Sequence, residues 1–340
     1  MAESLSAPVG ADQPAWASRT VTMVSMLHAT VGDGTGPEAD DTDLRLIDLL
    51  EQDPRVSVLE LATRLGCSRT AAKHRLDRLL EHGAVRVVGL VDPGLLGRPV
   101  VALLKVSVSR PPGSIAASLL DHAEVAWVAT TSAVTTVLAQ VAFPDNGSLS
   151  QFVDRSVRSF PGVERVVVNV VVAVLNPKRA DGEQIIARMT SDRSQPAPDD
   201  VDLSIIEQLR RDGRTPFAKL AEVSGLSTPA ARQRTLRLMA DGRVRLRTIT
   251  DPVAVGLPVT GEVHVSVRGP VEDVAEKIAA MPAVNYVVQT FGSRDIYAEF
   301  RCASIDDLLD ARARVAALDG VLETDFFEFA SESIKNPVWA

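Results

Sequence analysis

The sequence predicts an α+β chain made of two fused copies, each a three-helix unit followed by a βαββαβ module. An internal repeat carries this prediction. Moving the sequence by 159 residues places Asp41–Pro99 on Asp200–Pro258 without a gap, and 23 of these 59 positions are identical. The same offset carries Val106–Val108 onto Val265–Val267. With 340 residues, 46% hydrophobic and 24% charged, the chain can bury several cores, which excludes a wholly disordered protein.

The repeat and the composition of the segments around it divide the chain into six parts. An acidic, glycine-containing stretch precedes the first copy, and a polar stretch rich in proline and serine separates the copies. The middle of that joint, Glu183–Met189, suggests a short helix. We expect a flexible tail at 1–40, three-helix domains at 41–97 and 200–256, βαββαβ domains at 98–176 and 257–335, and a linker at 177–199.

Apolar residues at helical spacing, and the turn residues between them, predict each three-helix unit. The first helix of copy one follows Asp41 and Thr42, which are suitable N-caps, and the second is expected to bury Leu59. A glycine then ends each second helix and a serine caps the third. These residues are Gly66 and Ser68 in copy one, and Gly225 and Ser227 in copy two. A helix, a short glycine turn and a helix, followed by a β-rich run, are typical of a winged helix-turn-helix.

The third helices carry the residues that indicate nucleic-acid binding. Leu76 in copy one and Leu236 in copy two are expected to face inward, which leaves basic and polar side chains outward. Arginine and lysine neutralise phosphates or bond guanine, while glutamine and histidine read bases in the major groove. A merely solvated charged face is the alternative, but the same basic pattern occurs twice. The candidate DNA-binding residues are Ser68, Arg69, Lys73, His74, Arg75, Arg78, Ser227, Thr228, Arg232, Gln233, Arg234 and Arg237.

The net charge of −8 does not exclude DNA, because the charge is unevenly distributed. Residues 1–41 hold six acidic residues and one arginine. By contrast, Gly66–Arg86 has five basic residues against two acidic ones, and Gly225–Arg247 has six against one. The field near a contact surface matters more than the total charge. Each three-helix unit is called a head below. Because the two third helices differ at matched positions, two heads that act as a pair would read two unlike half-sites.

Alternating β-rich and helical runs predict a ferredoxin-like βαββαβ module in each copy. Such a sheet leaves one face without helices. The last strands contain the runs Val166–Val174 and Phe326–Phe329, which are too apolar to face water. We therefore expect each module's sheet to pack on another sheet, with the fused copy as the obvious partner.

This combination of units resembles the Lrp/AsnC (leucine-responsive, feast/famine) transcription regulators, whose second domain is called RAM. The resemblance covers nearly all of residues 41–335, twice. It rests on Asp202–Arg214, Gly225–Pro229, Arg234–Gly242 and the hairpin Phe291–Tyr297. The resemblance implies a regulator that binds double-stranded DNA sequence-specifically and self-associates through its RAM sheets. It also implies an amino acid or related small metabolite as effector.

The resemblance further places the effector near a Gly-x-x-Asp loop of the RAM domain. In copy two this loop is Gly292, Ser293, Arg294 and Asp295, and the Asp295 carboxylate can accept hydrogen bonds from a ligand ammonium group or from backbone N–H groups. A purely structural role in the hairpin is the alternative. Copy one has Ala133–Thr136 at the matching positions, without glycine or carboxylate. We expect the copy-one loop to have lost the capacity to bind a ligand.

Two other functions on the same fold stay open. One is a metabolite-binding module with decayed DNA heads. The other is an enzyme similar to the sirohaem decarboxylases, which share this two-domain plan and carry His- and Arg-rich strands. Here Ala126–Thr130 and Asn285–Gln289 contain no histidine. We therefore expect neither catalysis nor a cofactor. Cys67 and Cys302 offer no disulfide framework or metal spacing, and the sequence favours a cytoplasmic protein without a membrane span.

Overall fold

The structure, a computed structural model, describes residues 39–175, 186–188 and 197–334, the short segment 186–188 by its backbone alone. The predicted tail and most of the predicted linker lie outside these residues. Copy one contains α1 (Asp41–Gln52), α2 (Val58–Leu65), α3 (Arg69–Glu81), β1 (Val85–Val91), β2 (Val100–Val108), α4 (Gly113–Asp121), β3 (Val125–Thr131), β4 (Thr136–Phe143), α5 (Asn146–Phe152, continued by one π turn), β5 (Val163–Leu175) and β6 (Ile186–Arg188).

Copy two repeats this order, which confirms the predicted fold class. Its elements are α6 (Asp200–Arg211), α7 (Phe217–Ser224), α8 (Thr228–Ala240), β7 (Val244–Thr250), β8 (Val259–Val267), α9 (Val271–Ala279), β9 (Val284–Phe291), β10 (Ile296–Cys302), α10 (Ile305–Ala316) and β11 (Val321–Ile334).

Several local predictions need correction. Asp40, one residue before the predicted caps, caps α1, because its carboxylate accepts the N–H groups of Thr42 and Asp43. Leu59 is 66% exposed, since the other apolar residues of α2 cover the core. Leu236 is 41% exposed, because the position matching Leu76 is occupied by the buried Thr235. Finally, residues 186–188 of the joint form the short strand β6 against β5, where a helix was expected.

The two three-helix units share their cores. The core of the first unit includes Leu46, Leu61 and Leu76, and Ala254 and Val255 of copy two pack against it. The core of the second unit is completed in the same way by copy-one residues, Val91, Leu95 and Leu96. Strands β1 and β7 pair antiparallel over their whole length. The two units therefore form one intertwined body within a single chain.

The two βαββαβ modules also join into one structure. Each forms a four-stranded antiparallel sheet, ordered β5-β2-β4-β3 in copy one and β9-β10-β8-β11 in copy two. The long last strands cross from one sheet to the other: β5 continues along β9, and β11 continues along β3. Helices cover the outer faces in two large apolar cores. The inner faces meet in smaller apolar clusters that contain residues of both copies. The partner sheet predicted from the sequence thus lies in the same chain.

Candidate functional site

The turn before each third helix is built in the same way in both copies. Gly66 and Gly225 adopt the left-handed conformation, with φ of 69° and 68°. Ser68 then caps α3 by accepting the N–H of Ala71 at 3.1 Å, and Ser227 caps α8 in the same way. Both predicted caps are confirmed. Because the turn is the same, α3 and α8 leave it in equivalent directions relative to their own heads.

The outer faces of α3 and α8 present different side chains at matched positions. Arg69, Lys73 and His74 are exposed on α3, and their counterparts Thr228, Arg232 and Gln233 are exposed on α8. Lys73 also pairs with Asp77 at the surface, a pairing that is weak in water. These six side chains are available to phosphates and base edges, and their chemistry differs between the two heads.

The other four basic candidates form ion pairs with the first helix of their own head. Arg75 binds Asp40 at 2.6 Å and Asp43 at 2.8 Å, and Arg78 also binds Asp43, which is buried. The hydrogen bond from Arg75 holds the pKa of the Asp40 carboxyl below its usual value. In copy two, Arg234 and Arg237 pair with the buried Asp202 in the same way. These arginines fix the position of each third helix, and Arg237 is still 56% exposed.

The heads are tied together by bonds between the copies. In addition to the β1–β7 ladder, the Gly213 N–H donates to the Val87 carbonyl at 2.8 Å. The Thr248 hydroxyl donates to the Leu50 carbonyl at 2.6 Å. One chain therefore carries two third helices in a fixed mutual arrangement, as a dimer of single-unit proteins would.

The predicted ligand loop, Gly292 to Asp295, makes contacts within the protein. The Asp295 carboxylate accepts the Val267 N–H at 2.8 Å, which is the backbone alternative considered for it. Arg294 pairs with Asp325 at 2.9 Å and with Glu323 at 3.1 Å. The N–H and hydroxyl of Ser293 both donate to Asn169 Oδ1 of copy one. The loop thus shapes its hairpin and connects the copies, while its role in ligand binding stays a prediction.

Sequence reasoning missed a set of polar residues on the inner face of the copy-two sheet. Glu262, His264, Tyr297 and Glu299 are all buried there. Burial and the nearby Glu299 raise the pKa of Glu262 to about 8, and burial lowers the pKa of His264 well below its usual value. A comparison of the two copies points to these residues, because they differ in chemistry from the matching residues of copy one. Those residues are Leu103, Lys105, Leu138 and Gln140.

A chain of bonds leads from this inner face to the first head. Arg301 donates to the Glu299 carboxylate at 3.0 Å and to the Thr250 carbonyl at 3.1 Å. The Thr250 hydroxyl in turn donates to Glu51 of α1 at 3.2 Å. The sheet interior and the DNA head therefore share one hydrogen-bonded network.

Among the residues that the structure describes, no group of three or more His, Cys, Asp or Glu side chains is placed to hold a metal ion. No helix in the same ranges is long and apolar enough to cross a membrane.

Comparison with known domain families defines the class of protein. The pattern of the AsnC-type helix-turn-helix domain matches residues 40–80 and again residues 199–239, and that of the Lrp/AsnC ligand-binding domain matches residues 101–180. The chain is therefore a helix-turn-helix regulator with an attached ligand-binding domain. It belongs to the Lrp/AsnC family, and it carries the DNA-binding domain of that family twice.

Relatives among characterised proteins are single-unit in length. The chain is similar to the HTH-type transcriptional regulator FL11 of Pyrococcus furiosus, with 28% identity over 36% of this chain and 83% of that protein. It is equally similar to the HTH-type transcriptional regulator LysM of Sulfurisphaera tokodaii, with 28% identity over 37% of this chain and 91% of that protein.

A solved structure resembles the fold of both copies together. The siroheme decarboxylase NirDL has a TM-score of 0.60 and covers 87% of this chain and 93% of its own. Its sequence identity is 14%, so the likeness concerns the fold alone.

Proposed function

We propose that this protein is a cytoplasmic transcription regulator that binds one double-stranded DNA operator with both heads of a single chain and responds to a small metabolite. The observation that carries the proposal is the pairing of β1 with β7, because it joins two helix-turn-helix units into a ready-made pair. Single-unit regulators need a second chain for this arrangement, and their identical heads call for a palindrome.

The unlike faces of α3 and α8 support an operator with two unlike halves. Arg69 and Lys73 give the first head two flexible cations, whereas Thr228 and Arg232 give the second head one hydroxyl and one guanidinium. Arginine can bond guanine in a bidentate manner, while lysine acts as a point charge. The two heads would therefore prefer different bases at matched positions of their half-sites.

The metabolite would act through the sheets. A ligand shifts the heads only when it binds one arrangement of the molecule more tightly than another. The bonds from Arg301 to Thr250 and from Thr250 to Glu51 give such a ligand a contiguous route to the first head. Association between chains through the RAM domains belongs to the same proposal.

A salt series of fluorescence-anisotropy titrations tests the DNA-binding role. The probe is a duplex enriched from a randomised pool, and the variants are Arg69→Ala/Lys73→Ala and Thr228→Ala/Arg232→Ala. The matched control is Arg158→Ala/Lys277→Ala, which removes two exposed charges from the βαββαβ modules. We expect both head variants to bind at least about tenfold more weakly, and the first to show a lower salt slope by up to about two. Wild-type binding no tighter than to random duplex, or equal loss in the control, would refute the role.

The fold likeness to NirDL makes a sirohaem-binding enzyme the second candidate. Titration with sirohaem, followed by its absorbance spectrum, separates the two. A stoichiometric spectral change with loss of carbon dioxide would favour the enzyme, and an unchanged spectrum favours the regulator.

A further inference from the structure

Three buried polar atoms on the inner faces of the sheets have no hydrogen-bond partner of ordinary geometry among the described residues. They are Asn169 Nδ2, His264 Nδ1 and Tyr297 Oη. All three residues are 3% exposed or less. A buried polar group without a partner loses its hydration without compensation, so three in one place call for an explanation.

The three atoms belong to one cluster. The rings of His264 and Tyr297 stand 4.0 Å apart, centroid to centroid. Asn169 accepts from Ser293. Burial raises the pKa of Tyr297, and a loose side-chain hydrogen bond with Ser293 opposes this effect, so Ser293 links the two residues. The cluster lies where β5 of copy one meets the Gly292–Asp295 loop of copy two.

The three polar atoms of the cluster all act as hydrogen-bond donors. The orientation of Asn169 is fixed, because its Oδ1 accepts the Ser293 N–H at 2.7 Å, and its NH2 group is therefore the free end. Burial raises the pKa of Tyr297, so its hydroxyl keeps its proton. His264 Nε2 lies 2.9 Å from the Glu262 carboxyl. A protonated Glu262 donates to Nε2, which leaves the ring proton on Nδ1 and makes this atom a third donor.

Two cations flank these donors. Burial is the main cause that lowers the pKa of His264, and the nearby charges of Lys105 and Arg294 lower it further, while Asp325 acts in the opposite direction. Asp325 pairs with Arg294 at 2.9 Å and with Lys105 at 3.8 Å, and Glu323 meets Arg294 at the surface. The two cations are thus matched by the carboxylates of Asp325 and Glu323. The preference for a carboxylate therefore rests on the three buried donors, since a carboxylate accepts at both oxygens and brings no donor of its own.

We infer that Asn169, His264 and Tyr297 bind the carboxylate of one small organic acid per chain, in the interior between the two sheets. Copy one has no equivalent His/Tyr pair, because the residues matching His264 and Tyr297 are Lys105 and Leu138. The inference rests on the ligand-binding role proposed above and assigns the ligand its chemical class and its place.

Calorimetric titration of the full chain tests the inference at neutral pH. The probes are aliphatic carboxylates from acetate to hexanoate, their 2-amino derivatives, and the matching neutral amides. We expect one carboxylate per chain with Kd tighter than about 1 mM, and amides at least about tenfold weaker. Binding of the amino derivatives alone would identify an amino acid, and binding of the plain acids alone would identify an organic acid.

Two tyrosines provide a matched pair of variants. Tyr297→Phe removes the buried hydroxyl that has no hydrogen bond of ordinary geometry, and it should weaken carboxylate binding about tenfold. Tyr286→Phe removes the hydroxyl that Gln140 binds at 3.0 Å in the same interior, and it should change binding less than about twofold. Equal effects of the two variants, or no binding of any carboxylate, would overturn the inference. DNA affinity is measured on the same samples without acid, so that DNA binding and carboxylate binding are tested separately. Intact DNA binding without carboxylate binding would overturn this inference and leave the DNA-binding role standing.

Discussion

Arg55 and Arg214 occupy equivalent positions in the two copies, and each binds the backbone of the other copy. Arg55 donates to the Thr215 carbonyl at 2.6 Å. Arg214 donates to the carbonyls of Pro54 at 2.7 Å and Val56 at 3.0 Å. The contact between the heads is therefore reciprocal. It consists of hydrogen bonds from charged guanidinium groups to neutral carbonyls, and such bonds are among the stronger ones in proteins.

The contacts of Arg214 predict a measurable share of head stability. Arg214→Ala leaves two carbonyls of copy one without their donors, and we expect the free energy of unfolding to fall by about 1–2 kcal/mol in urea denaturation. The control is Arg211→Ala at the end of α6, which removes a surface pairing with Glu207 and should cost about 0.5 kcal/mol or less. Equal costs for the two variants would show that the contacts between the copies contribute nothing.

Gly292 is predicted to tolerate no side chain. A Cβ at this position would overlap the Asn169 carboxamide and would come within 2.9 Å of the Asn169 Cα. We expect Gly292→Ala to lower the free energy of unfolding by about 2–3 kcal/mol, since the backbone must shift. Gly113→Ala, where no atom lies within 4 Å of the new Cβ, is the control and should be nearly neutral. Thermal unfolding of both variants tests this prediction. A Gly292→Ala variant as stable as wild type would contradict the packing between the copies.

The buried Glu262 predicts a pH-dependent stability. Its pKa rises from 4.5 in the unfolded chain to about 8 in the folded one, so the folded state retains a proton that the unfolded state loses. The free energy of unfolding should therefore fall as pH rises through this window, by about 1.4 kcal/mol for each pH unit.

Glu262→Gln removes this dependence, so the variant should gain stability relative to wild type between about pH 5 and pH 8. The raised pKa of Glu332, about 7, acts in the same direction in both proteins, because burial is its main cause and Glu262 only a minor one. Glu164→Gln, which replaces an exposed carboxyl of β5 by an amide, is the control for the Glu262→Gln exchange. A constant difference between wild type and Glu262→Gln over this range would refute a protonated Glu262.

Val134 holds a strained backbone in the copy-one hairpin. Its φ is +50°, a left-handed conformation that is costly for a β-branched residue, and its side chain is 62% exposed. Val134→Asn should raise the free energy of unfolding by about 0.5–1 kcal/mol, because asparagine tolerates this conformation. Val134→Thr retains the branch and should give no gain. Denaturant titration of both variants checks the prediction, and a similar gain from threonine would contradict the role of strain.

Local features of this fold are predictable from the sequence, whereas the partners across the copies are not. The strands Val85–Val91 and Val259–Val267 are examples, because β-branched runs and flanking Asp-Pro or glycine turns are encoded locally. The serine caps follow for the same reason. The pairing of β1 with β7 joins residues about 160 positions apart, and no periodicity within either strand signals it.

The candidate sites show the same limit. The basic third helices were recognisable, but the engagement of Arg75 by Asp43 depends on the packing of α1 against α3. The Gly292–Asp295 loop was recognisable too, whereas the docking of Asn169 onto Ser293 needs both copies. Comparison of the copies would have revealed the polar inner face, since Glu262 and Tyr297 replace two leucines.

Selection of duplexes from a randomised DNA pool tests most directly whether one chain reads two unlike half-sites. Wild type is compared with the variant Arg69→Thr/Lys73→Arg/His74→Gln, which gives α3 the exposed residues of α8. We expect wild type to enrich an operator with two different halves, and the variant to enrich one in which both halves resemble the α8 half-site. A perfect palindrome for wild type, or the same asymmetric operator for both proteins, would contradict this account.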